Sequence, residues 1–174
     1  PIRQHAELEE VELVALHDVS AFRQARPLHG VVDGGAVFLQ SAGDGAEAIW
    51  ASLPVEARTE ILRRGLRVFA LDTAGLARAH APRPELEVRM QGVALAGAFL
   101  RIAPFAQRAG LNREALARAL RPTLTRFFGK RGVAVVDANL ALVLAAHDRL
   151  IEVTPSVGWR PEPETPMPLV EVPQ

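Results

Sequence analysis

The stretch GAVFLQSAGDGAEAIWASLPVEARTEILRRGLRVFALDT, residues 35–73, decides the fold. GAVFLQS (residues 35–41) and LRVFALDT (residues 66–73) are short apolar runs, which predicts two buried strands. The residues between them, 46–65, have a helical pattern that Pro54 divides and Gly65 stops. A strand, a helix and a second strand in this order predict a parallel pair joined by a right-handed crossover, and hence a layered α/β sheet.

Further segments extend this pattern on both sides. VELVALHDV (residues 11–19) predicts another buried parallel strand, and residues 19–32 predict a short helix followed by a turn. HAPRPEL (residues 80–86) is typical of a loop, whereas VRMQGVALAGAFLRIA (residues 88–103) is apolar on nearly every face. Such a segment predicts a buried helix, and its small side chains allow neighbours to approach closely. We therefore expect a Rossmann-like sheet, mostly parallel and flanked by helices.

A C-terminal helical cluster is expected to complete the domain. Asn112 is a suitable N-cap for its first helix, in which Pro122 predicts either a kink or a junction of two shorter helices. One face of that helix is expected to hold Leu116, Ala119, Leu120, Thr123, Leu124 and Phe127. A second helix begins near residue 133, with one face formed by Val136, Leu140, Val143, Leu144 and His147. IEV (residues 151–153) predicts a closing strand.

The sequence thus divides into an α/β domain over residues 1–153 and a Pro-rich tail over residues 154–174. The tail lacks helical or alternating periodicity. Because proline fixes φ and has no backbone N–H to donate, we expect this segment to be extended. It is interpreted as a linker, or as a strap along a surface with Trp159 as its anchor.

Composition excludes several classes of function. Twenty basic and twenty acidic residues give a net charge of +0, so the chain lacks the basic field typical of nucleic-acid binding. There is no cysteine, which excludes disulfides, thiol nucleophiles and iron–sulfur ligation by this chain. No targeting signal is recognisable, and no apolar run reaches the roughly 18 residues of a membrane span. We expect a soluble, cytoplasmic protein that binds neither nucleic acid nor membrane.

The turn Gly129-Lys130-Arg131-Gly132 is the candidate anion site. Lys130 and Arg131 lie beside two glycines, and the next helix offers the amides of its N-terminus to an anion such as a phosphate. The alternative is a helix junction in which Gly129 is left-handed and the two cations interact with the dipole of the preceding helix. The full glycine-lysine-serine/threonine pattern of a phosphate loop is missing, which favours the junction.

SAGDGAEAI (residues 41–49) follows a predicted strand and opens a predicted helix, where an open α/β sheet can bind a nucleotide. Gly43 and Gly45 supply half of the dinucleotide fingerprint, and Asp44 would repel a phosphate although it suits a helix start. Asp72 is either a ribose-binding acid or the N-cap of the next helix, and we favour the cap. A nucleotide-binding module therefore remains an alternative function.

The remaining reactive side chains do not predict an active site. The five histidines (His5, His17, His29, His80 and His147) have no metal-binding spacing, and no serine lies in a nucleophile elbow. His17-Asp18 lies at the end of a predicted strand and is the best local candidate for a polar contact with a ligand. The sequence thus predicts no catalytic residue and no metal ligand.

Read in order, several segments resemble the gamma (third) domain of the pyruvate:ferredoxin oxidoreductase and 2-oxoacid:acceptor oxidoreductase family. The features that carry the resemblance are Pro1-Ile2-Arg3, His17, Gly34-Gly35, Asp72-Thr73, Pro104-Phe105, Gly129-Lys130-Arg131-Gly132 and Asn139. They occur in the family's order from residue 1 to about residue 159. Since nothing corresponds to the glycine-rich unit that precedes them in the family, the chain resembles the C-terminal portion of that domain.

This resemblance implies a role in the oxidative decarboxylation of a 2-oxoacid with coenzyme A, giving an acyl-CoA, carbon dioxide and reduced ferredoxin. It also implies that thiamine diphosphate, magnesium and iron–sulfur clusters lie on partner domains or subunits, and that this chain binds none of them. The chain is then a structural gamma domain or subunit, inactive alone, that packs against the thiamine-binding domains and helps to accommodate coenzyme A. A non-catalytic assembly protein is a further alternative.

Overall fold

The computed structural model describes residues 10–43, 45–103 and 108–153. Within these residues, four strands form one sheet in the order β1 (Val11–Leu16), β2 (Val31–Gln40), β3 (Arg67–Leu71) and β4 (Ile151–Val153). The β1–β2 and β2–β3 pairs are parallel, whereas β4 is antiparallel to β3. The three predicted parallel strands and the closing strand are therefore confirmed, but β1 lies at one end of the sheet and only its Leu16 is buried, so the expectation of a buried strand there is wrong.

The second strand begins earlier than predicted, because the glycines interpreted as part of a turn lie inside it. Gly34 has φ +74°, and the pairing with β1 shifts between Val11 and Leu13. A Cβ on Gly35 would lie 2.7 Å from the carbonyl oxygen of Val32. The two glycines thus allow an irregular stretch within β2, and the strand pairs with β1 on both sides of it.

One face of the sheet is covered by short helices: α1 (Ala21–Gln24), α2 (Ala46–Ser52) and α3 (Val55–Arg63). Pro54 separates α2 from α3, as predicted, and is the N-cap of α3. The core on this side combines strand residues such as Val37 and Leu39 with Trp50 of α2 and Ile61 of α3. These side chains are almost fully buried, so this half has a dense apolar centre.

The other face is covered by α4 (Thr73–His80) and α5 (Glu87–Ile102), with a 3₁₀ turn (Pro84–Leu86) between them. Gly97 of α5 lies so close to the last long helix that a Cβ would be 2.3 Å from the carbonyl oxygen of Val143. The expectation that α5 is buried all round is wrong, because Val88 is 78% and Phe99 45% exposed. The covered faces of α5 are those toward the sheet, α4 and the last long helix.

The C-terminal cluster is a helical hairpin of α6 (Arg113–Phe128) and α7 (Val133–Arg149), joined by a 3₁₀ turn (Gly129–Arg131). A third apolar cluster, containing Leu116, Leu124 and Val136, holds the two helices together. Helix α6 is continuous through Pro122, so the predicted junction of two shorter helices is wrong. Leu116 and Leu124 are buried as predicted. Phe127 is 70% exposed, and Phe128 packs on the cluster in its place.

Candidate functional site at the carboxyl edge of the sheet

A cleft of about 290 Å³ lies where β2 and β3 end, the position at which α/β sheets bind ligands. Its lining includes Ser41 and Gly43 after β2, Asp72 and Gly75 after β3, and Arg149 at the end of α7. The structure therefore brings together the turn after β2 and Asp72, the two parts of the candidate nucleotide site. The candidate site is small, since ligand pockets commonly have about 300–1,000 Å³.

A hydrogen-bonded group that we call the edge network fixes the cleft on one side; its members are Gln40, Asp72, Thr73 and Gly75. The Asp72 Oδ1 accepts from the backbone N–H of Gly75 at 2.8 Å, which confirms Asp72 as the N-cap of α4. The same oxygen accepts from Gln40 Nε2 at 3.3 Å. Gln40 Oε1 accepts from the Thr73 N–H at 2.9 Å and from the Thr73 hydroxyl.

Polar groups in this network are therefore used to hold the end of β2 to the start of α4. Thr73 is buried, and the Cβ of any residue other than glycine at position 75 would lie 2.1 Å from Asp72 Oδ2. Asp72 is thus enclosed by its own cap. Such an arrangement makes a rigid corner, and both of its hydrogen bonds to Asp72 use Oδ1, so one oxygen of the carboxylate is committed to the cap.

The turn after β2 is also closed on itself. The Ser41 hydroxyl accepts from the Gly43 N–H at 3.1 Å, and the Ser41 N–H donates to the Leu71 carbonyl at 3.1 Å. Gly45, with φ +105°, is the N-cap of α2, and among the described residues no side chain caps that helix. Asp44, expected to cap or complement this helix, lies outside the described residues.

The geometry of the sheet gives little support to nucleotide binding. Dinucleotides bind at a crevice where the strand order reverses, and the described strands follow one another without reversal. The cleft lies at the lower end of the usual range of ligand volumes, and Oδ1 of Asp72 is engaged in the cap of α4. The turn after β2 and Asp72 do lie close together, but their polar groups mainly form hydrogen bonds within the protein.

His17 and Asp18 contribute to a local turn at the end of β1. The Asp18 Oδ1 accepts from the backbone N–H of Ser20 at 2.6 Å. This bond, helped by the Ser20 side chain, lowers the pKa of Asp18 below its ordinary value. Both residues are exposed, and the lining of the cleft includes neither of them. Asp18 thus has a structural role in this turn, and whether His17-Asp18 contacts a ligand stays a prediction.

The Gly129–Gly132 turn differs from the junction that the sequence favoured. Gly129 has φ −58° and lies in the right-handed region, so the expected left-handed conformation at this residue is wrong. The positive φ, +100°, belongs to Gly132, which begins α7. Lys130 and Arg131 are exposed on the 3₁₀ turn. Whether an anion binds these cations stays a prediction.

No metal centre is formed by the described part of the chain: no group of three or more His, Cys, Asp or Glu side chains there is suitable for a metal ion. His147 Nδ1 instead lies 3.2 Å from Asp148 Oδ1, and His5 lies outside the described residues. Over the same residues, no helix is long and apolar enough to cross a membrane.

Sequence reasoning missed two organising side chains. Gln40 is one, because its partners follow the next strand, more than thirty residues later. Arg64 is the other: it donates to Asp33 at 2.9 Å, to Glu60 at 2.8 Å and to the Leu28 carbonyl at 3.0 Å. The bonds to Asp33 and Glu60 raise the pKa of Arg64. Only the i,i+4 spacing of Glu60 and Arg64 was readable from the sequence.

Comparison with known proteins identifies relatives over most of the chain. A family model described as pyruvate ferredoxin/flavodoxin oxidoreductase matches residues 1–149. A Synechocystis protein described as a pyruvate-flavodoxin oxidoreductase is 28% identical over 156 residues, 88% of this chain and 12% of that protein. The pyruvate:ferredoxin oxidoreductase of Moorella thermoacetica is 23% identical over 159 residues, 91% of this chain and 13% of that protein. The chain therefore spans only about an eighth of the length of these relatives.

A solved structure has a similar fold. The pyruvate oxidoreductase subunit PORC of Thermotoga maritima matches with a TM-score of 0.51 and 14% sequence identity. The match covers 84% of this chain and 67% of that one. The likeness is one of architecture, an α/β sheet with helices, and it agrees with the fold described above.

Proposed function

Since the chain belongs to the pyruvate ferredoxin/flavodoxin oxidoreductase family, we propose that it is the gamma-type domain or subunit of a 2-oxoacid:ferredoxin oxidoreductase that uses a pyruvate-type substrate. The observation that carries this proposal is the family match over residues 1–149, which includes nearly all of the described fold. The assembled enzyme would decarboxylate the 2-oxoacid, join the acyl group to the sulfur of coenzyme A, and pass the electron pair to a ferredoxin-type carrier.

In this proposal the chain has an architectural role. Without cysteine it has no thiolate with which to ligate an iron–sulfur cluster, and its described residues form no group suited to a metal ion. Thiamine diphosphate, magnesium and the clusters would be bound by partner domains or subunits, where thiamine diphosphate supplies the carbanion chemistry. The edge network and the α5–α7 packing would give those partners a rigid body against which to pack.

We further propose that the isolated chain is inactive and that coenzyme A is a ligand of the assembled enzyme, which acts in the cytoplasm. The absence of a convincing reactive group in the carboxyl-edge cleft supports this division. Among the lining residues, Asp72 caps α4 and Ser41 closes its own turn. A nucleotide-binding module and a non-catalytic assembly protein are the rival functions, and each predicts a different result below.

The test is a reconstitution with and without this chain. The remaining domains or subunits of the same enzyme are purified, the chain is added, and dye reduction is followed in the presence of a 2-oxoacid and coenzyme A. We expect activity that requires both substrates and rises when the chain is added, while the chain alone is inactive. A matched control is Gly97→Leu, because its side chain would collide with α7 and prevent the native packing.

Two results would contradict the proposal. Full activity without the chain, although it binds the other components, would support a non-catalytic assembly protein. Tight binding of NAD or ATP by the isolated chain in calorimetry, weakened by Ser41→Trp in the cleft, would support the nucleotide-binding module.

A further inference from the structure

The connection between α6 and α7 leaves apolar side chains in solvent. We define the hairpin tip as residues 126–133. Phe127 is 70% and Val133 71% exposed, among the highest exposures of large apolar side chains in the described structure. Phe128, which follows Phe127 and precedes the turn, packs on the third apolar cluster. The tip therefore exposes one aromatic and one aliphatic side chain to solvent, while Phe128 packs it against the hairpin.

The tip is also cationic. Arg126, Lys130 and Arg131 are exposed, and the ion pairs formed within the described ranges include none of them. The stem of the same hairpin is different, because Arg113 pairs with Asp148 at 2.8 Å and Arg121 with Asp137 at 2.9 Å. Arg113 and Arg121 thus have acidic partners, whereas Arg126, Lys130 and Arg131 face solvent.

Acidic residues that could balance the tip lie in the segment 154–174 of the same chain. Overall the chain has a net charge of +0, yet the stretch 113–131 contains six cations and one acid. The segment 154–174, which is outside the described residues, contains Glu162, Glu164 and Glu171 but only one cation, Arg160. Its Trp159 precedes the acidic Pro-Glu-Pro-Glu run. The two regions are complementary in charge, and each contains a large aromatic side chain.

The length of the segment permits this contact. The chain leaves the sheet at Val153, which pairs with Val68 near the start of β3. Helix α7 has 17 residues, so the tip is about 25 Å from the far end of that helix. Trp159, Glu162 and Glu164 lie six, nine and eleven residues beyond Val153, so at ~3.3 Å each their backbones reach about 20, 30 and 36 Å when extended. The segment is long enough to return to the tip.

We propose that the segment 154–174 docks on the hairpin tip of its own molecule, with Glu162 and Glu164 on Lys130 and Arg131, and Trp159 on Phe127. Prolines restrict the unbound segment, so docking costs less conformational entropy than for an ordinary chain. Proline-rich segments are commonly recognised by aromatic side chains, because side chains rather than backbone N–H groups make the contacts. The proposed contact joins both modes, aromatic and ionic, in one surface.

Spin labelling tests the contact directly, because the chain has no native cysteine. A nitroxide is attached to Thr165→Cys in the full chain, and amide signals are compared before and after reduction of the label. We expect the amide signals of residues 127–133 to lose most of their intensity while the label is paramagnetic. This loss of signal should be absent in the double variant Lys130→Glu and Arg131→Glu. It should reappear when Glu162→Lys and Glu164→Lys are added, because the opposite charges are then restored. A label at the exposed Glu56→Cys on α3 is the positional control.

Other results would overturn the proposal. Unchanged intensity at the tip would mean that the segment does not dock there, whether it is free or bound to another face. Loss of intensity in an isotope-labelled chain mixed with a separate spin-labelled chain would mean that the occupant is a second copy. Loss that survives the charge reversal would exclude the ionic contact. Glu56, Lys130 and Arg131 are exposed, and the amide spectra of all variants report whether the domain is folded.

Discussion

The carboxyl edge of the sheet and the hairpin tip differ in how their polar groups are satisfied. At the edge, Asp72 and Gln40 bind each other and the start of α4. At the tip, Lys130 and Arg131 have no acidic partner within the described residues, and Phe127 lies in solvent beside them. At the position where α/β sheets bind ligands, Gln40, Asp72 and Thr73 thus bind one another, whereas the exposed side chains of the tip do not.

This difference separates groups that stabilise the domain from groups available to a partner. Buried polar groups that bind one another make a substitution costly, because the remaining partner loses its hydrogen bond without access to water. Exposed cations and apolar side chains contribute little to the stability of the isolated domain. Substitutions in the edge network should therefore lower the free energy of unfolding more than substitutions of the exposed residues of the tip.

The largest effect is expected for Asp72→Ala. It removes the cap of α4 and leaves Gln40 without its acceptor, which should lower the free energy of unfolding by about 2–3 kcal/mol in urea denaturation. Asp72→Asn keeps an oxygen acceptor for the Gly75 N–H and should lose less. An alanine variant as stable as the parent would mean that the edge network does not hold the corner.

The second largest loss of stability is expected for Phe128→Ser, and comparison with Phe127→Ser contrasts a packed and an exposed residue of the tip. Phe128 packs on the third cluster, so the loss should be about 2 kcal/mol, whereas Phe127→Ser should change stability by no more than about 0.5 kcal/mol. Both variants are compared by urea denaturation. Equal losses at the two positions would contradict the observed orientation of the end of α6.

Asn112→Ala measures the contribution to stability of an N-cap that lies outside the edge network. The Asn112 Oδ1 accepts from the Ala115 N–H at 2.9 Å, and we expect a loss of about 1 kcal/mol on removing it. Asn112→Asp retains the acceptor and should remain close to the parent. If the alanine variant lost as much as Asp72→Ala, the additional contribution assigned to Gln40 would be unsupported.

The smallest effect concerns pH and the stem of the hairpin. Burial raises the pKa of Asp148, but hydrogen bonds from Arg113 and His147 outweigh it and leave the pKa below its ordinary value. A lowered pKa contributes stability above the unfolded-state value of about 3.9 and loses it as the pH falls through the folded-state value. Since both partners are largely exposed, Arg113→Met should reduce this contribution by only a few tenths of a kcal/mol.

Denaturation of the parent and Arg113→Met at about pH 7 and about pH 3 checks this sign. The difference between the two proteins should be larger at the higher pH. A difference that grew on acidification would contradict the assignment, because protonated Asp148 has no charge with which to attract Arg113.

Local signals explain most of what the sequence predicted. The three parallel strands follow from apolar runs, the break at Pro54 from proline geometry, and the caps at Asp72 and Asn112 from their side-chain oxygens. Each of these depends on residues within a few positions of one another. The family resemblance added the order of distant segments, and the match over residues 1–149 confirms it.

The errors arose where tertiary context decides. Whether Phe127 or Phe128 faces inward depends on how α6 is rotated against α7, and a helix of sixteen residues tolerates either interpretation of the pattern. The positive φ lies at Gly132 rather than Gly129, since a 3₁₀ turn follows α6 before the chain reverses. Gln40 bridges two elements, so no local pattern identified it.

The antiparallel strand β4 has a consequence for folding kinetics. Pairs β1–β2 and β2–β3 join segments that follow closely in the chain, whereas Val153 meets Val68 only after α4, α5 and the hairpin intervene. Closing so long a loop is slow, because its entropy is lost before the contact forms. The fourth strand is therefore expected to add last, and its arrival links the sheet and the helical cluster into one cooperative unit.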